Sequence, residues 1–150
     1  PELKRELLRL GISQLSAASR TYPGGYAAAK TNREDAQQFW VGDSRGLNEI
    51  VRDLQVDGYI PSFCTSCYRK GRTGEHFMGL AHTAFIHNFC QPNALTTYYE
   101  YLCDYGDEEA IRAGKQIIDR AVAGLPGEKD REAMRETLKR VEQGERDICV

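Results

Sequence analysis

The sequence predicts a mainly α-helical chain whose front carries one helix–strand piece of (β/α)8-barrel type. Three observations carry this. Apolar residues recur at helical spacing through the second half, where glycines and prolines mark the stops. Near the start, Gly11 separates a short leucine-bearing helix from the extended run Ile12–Ala17, the layout of a barrel repeat. Between them, Tyr59–Phe63 is too short, and too interrupted by Pro61, to be a central strand. The expected division is therefore 1–42, the final barrel repeat and a linker, incomplete by itself, and 43–150, a small helical domain.

Taken in order, Glu2–Leu10 reads as a helix with Leu3, Leu7 and Leu10 on one face. Ile12–Ala17 follows as a strand whose polar Ser13, Gln14 and Ser16 are unusual for a core filler. Pro23-Gly24-Gly25 makes a sharp turn, Ala27 to Gln38 is polar and weakly helical, and Phe39-Trp40-Val41 is an apolar plug. Asp43 is the expected N-cap of a helix bearing Leu47, Ile50, Val51 and Leu54, ended by Gly58. Pro92 suits the first position of a helix carrying Leu95, Tyr98, Tyr99 and Leu102, closed by Gly106. Asp107 caps the next, with Ile111, Ile118 and Val122 inward and Gly124 and Pro126 as stops. The last helix, about Lys129 to Gln143, has the stripe Met134, Leu138, Val141, with Glu136 and Arg140 at ion-pair spacing.

Composition narrows the function classes. The chain has 150 residues and a formal net charge of -2, so no electrostatic footprint for nucleic acid is present. No run approaches the roughly 20 apolar residues of a membrane span, and the charged opening is not a signal peptide. Five cysteines in a domain of ordinary size do not form a secreted disulfide framework, which points to a reducing cytoplasm.

The chemistry concentrates in three cysteines. Cys64 and Cys67 form a C-x-x-C pair, and Cys90 follows after 22 intervening residues. Two thiolates on one tight turn reach one centre, and a third from a distant segment suits an iron–sulfur cluster or a zinc ion. Zinc asks for a fourth ligand, for which His76, His82 and His87 are the candidates. Three thiolates on a cluster leave one iron open to a small ligand. A redox C-x-x-C fits less well, because the βαβ context it normally occupies is missing. Arg69, Lys70 and Arg72 either support such a loop and offset its negative charge, or form a solvated run. Ser16, Ser19 and Arg20 stand where a barrel strand would meet its rim loop; Arg20 suits a carboxylate, and the hydroxyls suit its orientation. Cys103 reads as core, Cys149 as a free thiol, and the eight tyrosines as packing with wet hydroxyl tips.

The segment Gly11–Thr21 with Pro23-Gly-Gly-Tyr26 resembles the piece that closes the barrel of radical-SAM aromatic amino-acid lyases. Within that family, Gly58–Gly74, Phe89-Cys-Gln-Pro-Asn-Ala94 and Glu100-Tyr-Leu are similar to the tyrosine lyases that mature FeFe hydrogenase. The resemblance spans almost the whole chain. It implies that the front piece is the last part of a radical-SAM barrel and that 43–150 is an auxiliary-cluster domain. Its further implications are a 4Fe–4S auxiliary cluster on Cys64, Cys67 and Cys90 with an extra, labile iron, and Ser16, Ser19 and Arg20 near the substrate or the S-adenosylmethionine (SAM) side of the cavity. In the family, a second 4Fe–4S cluster binds SAM, tyrosine is cleaved, and carbon monoxide and cyanide leave on iron. The implied partners are tyrosine, SAM, the chain's own barrel domain and other hydrogenase maturation proteins, with no nucleic acid and no membrane. The radical-SAM C-x3-C-x2-C motif is absent from these residues, so the chain reads as a C-terminal fragment without activity alone. Ala18 stands where the family's rim motif carries glycine. The alternative is a non-catalytic zinc-binding or interaction module.

Overall fold

The structure, a computed structural model, describes residues 1–26 and 37–149. Seven helices and no strand occur among these residues: α1 (Glu2–Arg9), α2 (Leu47–Val56), α3 (Ser66–Arg69), α4 (Gly74–His82), α5 (His87–Tyr105), α6 (Glu108–Ala123) and α7 (Glu128–Glu142). The chain divides into two units, Pro1–Val51 and Arg52–Val150, and α2 straddles the division.

In the first unit, α1 forms where the leucine spacing predicts it and ends before Gly11, whose φ of +97° needs glycine. The predicted strand Ile12–Ala17 does not form. A strand exists only through pairing, and among the described residues no second extended segment pairs with it. Lys4 Nζ instead donates to the Ser16 carbonyl at 2.8 Å, and the Ala18 N–H donates to the Arg45 carbonyl at 2.8 Å. Ala18 itself lies at φ +55°, the left-handed region, so the glycine that the barrel-closing motif carries there has a local conformational reason. The expected plug is also corrected: Phe39 and Trp40 are exposed. Of the weakly helical stretch foreseen over 27–38, residues 27–36 lie outside the described residues.

Asp43 is not a helix cap. Its carboxylate accepts from the Arg45 backbone and guanidinium, at 3.2 and 2.9 Å to Oδ1, and pairs with Lys4 at 3.1 Å. The helix starts three residues later than a cap at Asp43 would place it, where Glu49 reaches back to the Gly46 N–H at 2.8 Å in the manner of a capping box. Its end is as predicted. Gly58 sits at φ +80°, and the bonds Gly58 N–H to Gln55 and Tyr59 N–H to Leu54 complete a Schellman stop.

The second unit is built on α5, α6 and α7. Leu95, Tyr98 and Leu102 of α5 are fully buried, with Ile117, Ile118 and Val122 of α6 and Met134 and Val141 of α7 completing the core. These are mostly the stripes that the sequence predicts, and their period explains why the helices form. Asp107 caps α6 as expected, accepting from the Ala110 N–H at 2.9 Å. Four details differ. Helix α5 begins at His87, so Pro92 lies inside it rather than at its first position. It is still early enough that the missing N–H removes one bond of the second turn only. Tyr98 is not wet at its tip, because Gln55 Nε2 donates to its hydroxyl at 2.7 Å and to the Ala110 carbonyl at 2.9 Å. Cys103 is exposed rather than core. Arg140 pairs with Glu145, leaving Glu136 with Lys139 at 4.0 Å.

Gly114 sets how closely α5 and α6 approach. A Cβ there would run into the Leu102 side chain and stand 3.0 Å from the Tyr98 hydroxyl. Alanine gains about 1 kcal/mol of helix propensity, but overpacking a filled core costs about 1–3 kcal/mol. Gly114→Ala is therefore expected to lower unfolding stability by up to about 2 kcal/mol in denaturant titration.

The Asp43 carboxyl is held well below the usual carboxylate range, first by the hydrogen bond from Arg45 and then by Lys4, against the opposing effect of burial. Its stabilising effect is present above the unfolded-state pKa of 3.8 and fades as pH falls through the depressed folded value. An acid titration of unfolding is expected to show the chain losing stability below about pH 4, with a flatter profile in Asp43→Asn.

Candidate metal centre

The C-x-x-C pair lies at the entry of a single helical turn. Residues 59–63 lead in, fixed on α5 by the Phe63 N–H donating to Thr97 Oγ1 at 3.2 Å and by Phe63 stacking on Tyr101 at 4.9 Å. Cys64 precedes Thr65, the N-cap of α3, and its Sγ accepts from the Ser66 N–H at 3.3 Å. Cys67 is in α3. The turn then closes in a Schellman pattern: Gly71 takes φ +68°, and the Arg72 N–H donates to the Cys67 carbonyl at 2.8 Å. Cys90 comes from elsewhere, the first turn of α5, where its N–H reaches the Ile86 carbonyl at 2.9 Å.

The fold brings the three cysteines within electrostatic range of one another. Part of Cys90 reaches solvent, yet the protein packed around its thiol pushes its pKa up, and the Cys67 and Cys64 sulfurs push the same way. Arg72 opposes them. This arginine is 8 % exposed, a rare place for a charge. Its guanidinium donates to Ser66 Oγ at 2.8 Å and lies 4.4 Å over the ring of Phe89, the residue before Cys90. One side chain thus ties the C-x-x-C turn to the turn bearing Cys90. Arg69 points the other way and donates to Asp147 Oδ1 at 3.0 Å.

What the donor set suits follows from its chemistry. Among the described residues, no three His, Cys, Asp or Glu side chains close around a point where one metal ion would sit. His76, His82 and His87 are exposed. A zinc site closes four ligands around one ion at about 2.0–2.3 Å, whereas a polynuclear cluster spreads its thiolates over separate irons. What the structure shows here is three thiols that act electrostatically on one another, with the buried Arg72 guanidinium beside Cys90.

Ser19 and Arg20 share a cleft of about 500 Å3 in the first unit with Tyr22, Phe39 and Trp40; Ser16 is not among its lining residues. Arg20 Nη1 is committed to the backbone carbonyls of Ser19 and Ser44, at 3.0 and 2.8 Å. Sequence reasoning missed the residues that complete the second unit's framework, Ser66, Phe89 and Asp147. The only signal for the first two was their adjacency to cysteines.

No family model matches the sequence, and no curated protein matches it. Among solved structures, the crystal structure of HydG, described as a maturase of the FeFe-hydrogenase, matches with a TM-score of 0.89 at 45% sequence identity, over 100% of this chain. The chain is HydG-like throughout. It spans about a third of the HydG chain it matches, 32% of that length. Among the described residues, no helix is long and apolar enough to cross a membrane.

Removing Arg72 tests the framework directly. Arg72→Ala deletes a buried charge-assisted hydrogen bond and a desolvated cation–π contact, which together correspond to about 2–4 kcal/mol. Urea unfolding is expected to show a loss of that order, and Arg72→Lys should not restore it, because an ammonium lacks the planar face that lies over Phe89.

Proposed function

We propose that this chain is the auxiliary-cluster domain, with the last barrel piece, of a HydG-type tyrosine lyase. In this reading residues 43–150 form the cluster domain and 1–42 belong to the barrel. The observation that carries it is that Cys64, Cys67 and Cys90 act electrostatically on one another, with Arg72 beside Cys90, in a chain that is 45% identical to HydG over its full length.

Cys64, Cys67 and Cys90 would hold a 4Fe–4S cluster. When bound, that group supplies an iron without a protein thiolate, at which a small ligand, or an extra labile iron, is accommodated. The chain's own residues do the rest. The α3 turn fixes the direction of two thiolates. The start of α5 supplies the third. Arg72 offsets part of the accumulated negative charge, and Phe89 packs against its guanidinium. The parent reaction in this proposal is cleavage of tyrosine by a SAM-derived radical in the reducing cytoplasm. The dehydroglycine fragment is then broken down to carbon monoxide and cyanide, delivered on iron to the hydrogenase maturation proteins. The radical-generating cluster and SAM are assigned to a barrel whose cysteine motif is not in these residues. Ser16, Ser19 and Arg20 would face the substrate or SAM side of that cavity.

Anaerobic reconstitution with iron and sulfide is the deciding experiment. The expected result is a brown protein with about four irons per chain and a reduced-state EPR signal, with iron content lost in Cys64→Ala, Cys67→Ala and Cys90→Ala. Unchanged iron content in all three variants, or a colourless protein that takes up one zinc instead, would overturn the assignment. The second of these results would establish the zinc-module alternative.

A further inference from the structure

The segment after α7 is fastened more firmly than a surface tail requires. Arg146 makes a bidentate pair with Asp104 of α5, at 3.2 and 2.9 Å from Nε, and donates from Nη1 to the Val141 carbonyl at 2.7 Å. The Glu100 carboxylate, one helical turn before Asp104, accepts from the backbone N–H groups of Asp147 and Ile148. These bonds lay residues 145–149 along α5. They also fix Asp147 in the left-handed region at φ +61°, a conformation that aspartate tolerates better than most residues. From that position its side chain meets Arg69, two residues beyond Cys67.

We infer that residues 145–149 act as a strap that positions the cysteine turn. Asp104 and Glu100 anchor it, and the Asp147–Arg69 pair joins it to the turn. Arg72 fixes the inner side of the turn and the strap fixes the outer side. The pair itself is exposed, at 47% and 81% for the two side chains, so its own energy is small. Its effect is directional: a weak bond to a firmly held partner restricts where α3 can move. The role as a support for metal ligands rests on the cluster reading above; the restriction of the turn does not.

Two measurements separate these. The first is hydrogen exchange on the chain without iron, read at the Lys70 and Arg72 N–H groups, which bond the Ser66 and Cys67 carbonyls. Arg69→Ala and Asp147→Asn are each expected to speed exchange there roughly two- to fivefold, the range open to an exposed ion pair, with α6 unchanged. The double variant should exchange no faster than either single, and Arg69→Lys should stay near the original rate. Unchanged exchange in both single variants, or additive effects in the double, would overturn the strap. The second measurement is iron release to a chelator from the reconstituted chain, expected to be faster by a similar factor in Arg69→Ala. A chain that takes up no iron would remove the cluster reading, while exchange alone would still decide the strap. A chain that holds iron and releases it at the original rate would overturn the strap's positioning role.

Discussion

The candidate site depends on one buried cation. Arg72 sits beneath the C-x-x-C turn, bonded to Ser66 and lying over Phe89, and so joins two segments that are far apart in sequence. Burying a guanidinium is costly unless its charge and donors are answered. Here the Ser66 hydroxyl accepts one of its N–H groups, the Phe89 ring lies against its face, and the Cys90 sulfur lies within electrostatic range. The arginine in turn opposes the burial and the neighbouring sulfurs that disfavour ionisation of Cys90.

That arrangement needs a rigid platform, and the α5–α6–α7 bundle provides it. Its centre is a polar group inside an apolar core: Tyr98, fully buried, whose hydroxyl accepts from Gln55 while the same amide donates to Ala110. A satisfied buried network of this kind fixes one packing where an all-apolar core would tolerate several. It fixes the axial position of α5. Because Cys90 is in the first turn of α5 and Phe63 leans on Tyr101 of the same helix, the register of α5 sets both halves of the cysteine triangle.

Much of this was legible from periodicity and punctuation. Helices α6 and α7, the Asp107 cap, the Gly58 stop and the cysteine spacing are local signals, and local signals survive in a single sequence. The misses share a cause. Pro92 favours a first helical position, but five residues of neutral propensity before it are recruited into α5 by the packing at Ile86. Asp43 has the chemistry of a cap, yet Lys4 and Arg45 compete for its carboxylate. Ile12–Ala17 has the composition of a strand and lacks partners. Tyr98 was expected to be wet at its tip because the residue that meets it, Gln55, is 43 positions away. The importance of Arg72 over its neighbours Arg69 and Lys70 was likewise invisible, since only burial distinguishes them.

The electrostatics of the triangle bear on what it holds. Cys90 is pushed toward its neutral form by burial and by two neighbouring sulfurs, while Arg72 pulls the other way. A thiol that served only as packing would not need a buried arginine beside it, and a redox pair would need only Cys64 and Cys67. Three thiolates beside one guanidinium would carry an excess of negative charge, which a bound metal centre would offset. Burial first, and then the repulsion from Cys67 and Cys64, raise Cys90 in the free protein; in the proposed reading a bound metal would relieve that repulsion.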